Sequence, residues 1–231
     1  MTGYAGRKGM DMKPIKVIRI IIDIIMYLLF ILLMGQHLLA GAVHEYLGTG
    51  LFVCFFIHCV FNYRWYKGLF KGKYTLRRSI WTVVNLMLLI SFVVCILSSF
   101  MISGVVFRNI RLAGMMMVGR KLHLVSTAWS FVLMSIHLSF HIRPPKQKMQ
   151  KSCFYIITSA ASVIGIYIFS VRKFYEELFL LTEFKWFDYD KSWIRYTLET
   201  ICISLCFVML AHAVMQAGNH WKEKRKDGKR V

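Results

Sequence analysis

The chain has 231 residues, 57% of them hydrophobic, a mean hydropathy of +0.53 and a formal charge of +19. Soluble domains run nearer half apolar, and the apolar residues here fall in blocks of the ~20 residues needed to cross a bilayer, which excludes an ordinary soluble domain. The 30 Lys and Arg lie between those blocks, so the charge reads as the positive-inside bias of a membrane protein, not as a nucleic-acid surface.

In chain order, a basic stretch from Met1 to Pro14 precedes six predicted membrane helices near 15–36, 43–64, 79–103, 121–142, 152–172 and 194–216. The expected fold is an all-α polytopic membrane bundle. Ala40-Gly41-Ala42 resembles a signal-peptidase site, but the apolar run before it is too long for a typical signal segment, so an uncleaved anchor is expected. Asp23 follows Arg19 by one turn in the first span, and Glu199 follows Arg195 in the sixth. Both read as i, i+4 pairs that soften a charge near the membrane edge. Pro144-Pro145 ends the fourth span. With the N-terminus inside, the inner segments hold 21 Lys and Arg and the outer ones nine. That bias predicts both termini on the cytoplasmic side. The six cysteines form no C-x-x-C knuckle and no C-x-x-C-H haem-attachment motif.

Two stretches carry the functional signal. His44 to His58 and His123 to His137 are each fifteen residues long, apolar between, and bounded by histidine. A separation of 14 positions is about 40° short of four helical turns and ~21 Å of rise. Both rings of a pair therefore share one helix face. The second and fourth spans run in the same direction across the membrane, so His44 can meet His123 near the outer surface and His58 can meet His137 deeper in. A ligand that takes two neutral imidazoles from facing helices, twice, is a b-type haem, with an axial histidine on each side of the iron. Two haem b groups are expected, with His44, His58, His123 and His137 as iron ligands. Gly48 would let a flat macrocycle approach the backbone, and Thr127 and Ser130 would leave room on the fourth span. Arg64 and Arg120 are the candidate propionate partners, with Lys121 and Arg143 near them. Zinc normally wants four ligands in a tight tetrahedron, where each level here supplies two.

The H-x13-H pattern on two helices resembles the membrane cytochrome b of respiratory quinol oxidases. The local text, His44-Glu45 with Gly48, then His58 and Asn62-x-x-Trp65, is closer to the bacterial flavinylation-associated cytochrome domain. The resemblance covers roughly Ile15 to Arg143. It implies a four-helix di-haem domain over 15–143; the two further spans within 152–216 and the basic tail at 217–231 fall outside it. It also implies a bacterial cell membrane and electron transfer to an extracytoplasmic flavoprotein. No flavin-attachment or FMN-binding domain is recognisable in this chain, and a quinol donor is a further expectation without a motif of its own.

The remaining histidines read more simply. His37 and His141 sit at helix ends, and His141 is an alternative inner ligand that breaks the matched spacing. His212 reads as packing, or as part of a quinone pocket. Glu45 suits a helix start. Met115-Met116-Met117 is expected in the outer loop as apolar filler or a copper(I) site. Two rival functions are a histidine-relay transporter of metal or protons, which needs a polar path, and a non-redox membrane anchor.

Overall fold

A computed structural model describes residues 12–110, 114–142, 144–182 and 192–227. Arg143, the acidic and aromatic run at 183–191, and both chain ends lie outside the described residues. Among the described residues every regular element is helical: α1 (Met12–Leu33), α2 (Gly41–Phe61), α3 (Tyr63–Gly68), α4 (Leu76–Ile102), α5 (Met116–Ser139), α6 (Lys148–Val171), α7 (Phe174–Leu178) and α8 (Trp193–Asp227). This is the all-α class expected. Five of these helices, α2, α4, α5, α6 and the Trp193–Gly218 part of α8, are long and apolar enough to cross a membrane. That is the build of a multi-pass membrane protein.

The first expected span differs in kind. α1 is a helix of 22 residues, but Lys16, Arg19 and Asp23 lie within it, so it is more charged than the other five. The short helices α3 and α7 were not anticipated. Met115, expected in the outer loop, caps α5, and Met116 and Met117 form its first residues.

The chain divides into two compact units, Met1–Gly72 and Lys73–Val231. In the first, α1 packs against α2. The guanidinium of Arg19 lies 5.8 Å from the centre of the Phe61 ring, and Asp23 reaches His58 on α2 at 2.6 Å. The Arg19–Asp23 pair expected from spacing gives way to this contact between helices. The Asp23 carboxylate, about half exposed, takes the ring N–H of the helix that α1 packs against. The other expected pair does form, with Arg195 Nε donating to Glu199 Oε1 at 3.1 Å.

In the second unit α5 is the central element. It packs against α4, α7 and α8, and α6 packs against α8. Small side chains make this possible. Ser126, Ala128, Ser130, Ser135 and Ser139 of α5 are all buried. The Ser135 and Ser204 hydroxyls meet at 2.9 Å between α5 and α8. Gly119 lies against α4, where a Cβ would come within 2.7 Å of Met101 Cβ. Gly165 lies against α8, where a Cβ would stand 2.7 Å from the Cys202 carbonyl carbon. Small residues let helix backbones approach in lipid, where no hydrophobic force drives them together. Phe131 of α5 stacks edge-on with Phe174 at 5.5 Å, and Trp129 Nε1 donates to the Leu178 carbonyl at 3.0 Å, which fastens α7 to α5.

α4 shows both faces of a membrane helix. Val83, Ile90 and Leu97, seven residues apart, are each more than half exposed, as a lipid-facing stripe should be. Its N-terminus is capped by Thr75, whose Oγ1 accepts from Arg78 N at 3.3 Å. Its polar residues turn toward α5, and they matter for the site.

Candidate functional site

The histidine face of α5 is bonded along its length to α4. His137 Nδ1 lies 2.7 Å from Asn85 Oδ1. Ser130 Oγ meets Ser91 Oγ at 2.9 Å, and Ser91 Oγ also donates to the Ser126 carbonyl at 2.9 Å. Thr127 Oγ1 lies 3.3 Å from Cys95 Sγ. His123 Nδ1 stands 3.3 Å from the Cys95 carbonyl oxygen. As residue numbers rise on α4 they fall on α5, so the helices are antiparallel and one register holds over all four levels. Thr127 and Ser130, expected to leave room on this face, have their hydroxyls engaged with α4 instead. Ser130 is fully buried. A hydroxyl in an apolar span seeks a partner on its packed neighbour, and α4 supplies one at each level.

The tautomers follow from these partners. At His137 the partner is an amide oxygen, which only accepts, so Nδ1 carries the proton. At His123 the neighbours of Nδ1 are the Cys95 carbonyl at 3.3 Å, the Cys95 thiol at 3.8 Å, and the hydroxyls of Ser98 and Ser99 at 3.3 and 3.4 Å. Both hydroxyls give their own protons to the Cys95 carbonyl at 2.8 Å, so their oxygens face the ring as acceptors and Nδ1 is again the donor. In the first unit, His58 Nδ1 donates to the Asp23 carboxylate at 2.6 Å. Its Nε2 receives the Asn62 amide at 3.4 Å, while that amide donates to the His58 carbonyl at 2.9 Å. In all three rings Nε2 is the basic nitrogen.

That is the arrangement of a metal-binding histidine, in which a carboxylate or carbonyl holds the far N–H, fixes the tautomer and orients the ring. The residues therefore fit an axial imidazole ligand. At His58, Asn62 would rotate aside from Nε2. Among the described residues no group of three or more His, Cys, Asp or Glu could hold a metal ion. A bis-histidine haem iron takes only two protein ligands.

The other candidates fall as follows. His44 is in the first turn of α2, its backbone N–H bonded to the Ala40 carbonyl at 3.0 Å, with Gly48 one turn on. Nothing lies within 4 Å of where a Cβ on Gly48 would stand, so the backbone there is open to approach. Arg64 is exposed on α3 just beyond α2, and Arg120 is exposed in the first turns of α5, ahead of His123. His141 stacks beside His137, ring centres 4.8 Å apart, and edge-on to Trp81 at 6.1 Å. His212 is half-buried in α8. The sequence reading missed Asn85 and the true role of Asp23. The available signal was a lone amide in the apolar run of the third span, and an acid in the first.

No family model, no curated protein and no solved structure matches this chain.

Proposed function

We propose that this protein carries electrons across a membrane through two b-type haems, His44 and His123 ligating the outer one and His58 and His137 the inner. The observation that supports this most is the Nδ1 bonding of His58, His123 and His137, which leaves each Nε2 basic. It adds to the matched 14-residue spacing, because packing alone asks for no particular tautomer. When bound, haem supplies one-electron redox chemistry. The chain's own residues do the rest. Asp23, Asn85 and the Cys95 carbonyl hold the rings at a set angle, Gly48 leaves the backbone open, and Arg64 and Arg120 would be the partners of the propionate carboxylates. The redox domain covers 15–143, and the spans within 152–216 flank it. In this reading α1 is a sixth span and both termini are cytoplasmic, in a bacterial cell membrane. Electrons pass from quinol or an inner donor to an outer acceptor, a flavoprotein by resemblance.

A histidine relay for protons or metal ions is a second reading, favoured by the polar seam between α4 and α5. Asn85, Ser91, Ser130, Cys95, Thr127 and His123 supply the polar path that the rival requires. One measurement separates them. Reduced-minus-oxidised visible spectra of protein purified in detergent from haem-replete cells, with a pyridine haemochrome count, should show b-type bands and two haems per chain. Each single alanine change at the four histidines should remove one haem. A colourless protein refutes the cytochrome reading and leaves the relay.

A further inference from the structure

We infer that Asp23 is a positioning residue that makes His58 a more electron-donating ligand than His123 or His137, and so lowers the potential of the haem that His58 ligates. This rests on the di-haem reading above. The three rings with described Nδ1 bonds have unequal partners. His58 gives its proton to an anionic carboxylate at 2.6 Å. His137 gives its proton to a neutral amide at 2.7 Å, and His123 to a neutral carbonyl at 3.3 Å. A carboxylate that accepts N–H draws the ring toward imidazolate and raises its basicity as a ligand. A more basic ligand stabilises ferric over ferrous iron and lowers the potential, since hydrogen bonding around the iron is one of the protein's means of tuning it. The amide and the carbonyl do this more weakly, because they carry no net charge.

The local geometry keeps the carboxylate on its task. The 2.6 Å bond from His58 holds the Asp23 carboxylate against α2. Arg19, the cation one turn away, lies over the Phe61 ring instead of on the acid.

The test is a potentiometric titration of the full chain in detergent, for the wild type, Asp23→Asn and Asp23→Glu, with His58→Ala and His44→Ala to assign the midpoints. The wild-type midpoint that vanishes in His58→Ala belongs to the haem on which Asp23 acts. In Asp23→Asn that midpoint should rise by about 59 mV or more, a tenfold change in ferric-over-ferrous preference for one electron, while the other stays. Asp23→Glu, which keeps the carboxylate, should return it to the wild-type value. Two haems with that midpoint unmoved or lowered, or with both midpoints moved equally, overturn the inference and leave the di-haem reading intact. If Asp23→Asn sheds the inner haem, Asp23→Glu decides: a wild-type midpoint upholds the inference, and a shifted midpoint or a lost haem overturns it. A wild type without haem overturns the di-haem reading and this inference together.

Discussion

Asn85→Leu isolates the bond that orients His137. The substitution keeps the size of the side chain on α4 but removes the oxygen that accepts His137 Nδ1–H at 2.7 Å. A fully buried donor that loses its acceptor costs about 1–3 kcal/mol, or roughly 5- to 150-fold in an equilibrium at about 1.4 kcal/mol per tenfold, and the part-buried His137 falls toward the lower end. Loss of the group that orients a ligating histidine weakens metal binding by about 10- to 100-fold. The two ranges overlap, so we expect haem affinity at the His58–His137 position to fall by ~10- to 100-fold. Hemin titration of haem-free protein in detergent gives the affinity, and haem per chain after prolonged detergent dilution gives an independent measure of retention. The haem that survives in His137→Ala should be untouched, because the bond removed is the one that His137 makes. Wild-type retention in Asn85→Leu refutes the claim that this bond prepares His137 for a metal. Equal loss of both haems refutes it differently, by showing a general loss of packing.

Gly165→Ala puts a methyl 2.7 Å from the Cys202 carbonyl carbon and 3.1 Å from Ile203 N. Because both atoms are backbone, α6 and α8 must separate, and overpacking of this kind costs about 1–3 kcal/mol; a clear drop in the thermal unfolding midpoint is expected, and an unchanged midpoint would show that the helices are not so close. Ser91→Ala removes the hydroxyl that joins Ser126 and Ser130. Such bonds between membrane helices average ~0.6 kcal/mol, so a small loss of stability is expected with haem content unchanged. Proton uptake into proteoliposomes that disappears in this variant would move support to the relay.

Five of the six expected spans and the histidine spacing were legible because each is a local property of the chain. Apolar blocks of bilayer length and a 14-residue spacing can be read without knowing any neighbour. What holds the rings could not be read so. Asn85 and His137 are 52 positions apart, and nothing near Asn85 in sequence marks its partner. Asp23 was assigned to Arg19 because an i, i+4 neighbour is the only partner a helix shows by itself. The packed face of α2 was needed to reveal His58. Thr127 and Ser130 were rightly placed on the histidine face, but which helix covers that face is a matter of tertiary packing. The charged residues of α1 show the limit in reverse: they interrupt a run whose helical character is plain.

The position of α5 has a consequence for timing. It is bonded to α4 through Ser91–Ser130 and Asn85–His137, and to α8 through Ser135–Ser204. A helix fastened on two sides cannot roll about its own axis, so the azimuth of both its imidazoles is set when the bundle assembles. The ordering entropy of those rings is then incurred during folding and not again when a ligand arrives. Under the proposed di-haem reading, fixed rings would also have little room to readjust when the charge on the iron changes, which would keep the reorganisation at each electron small.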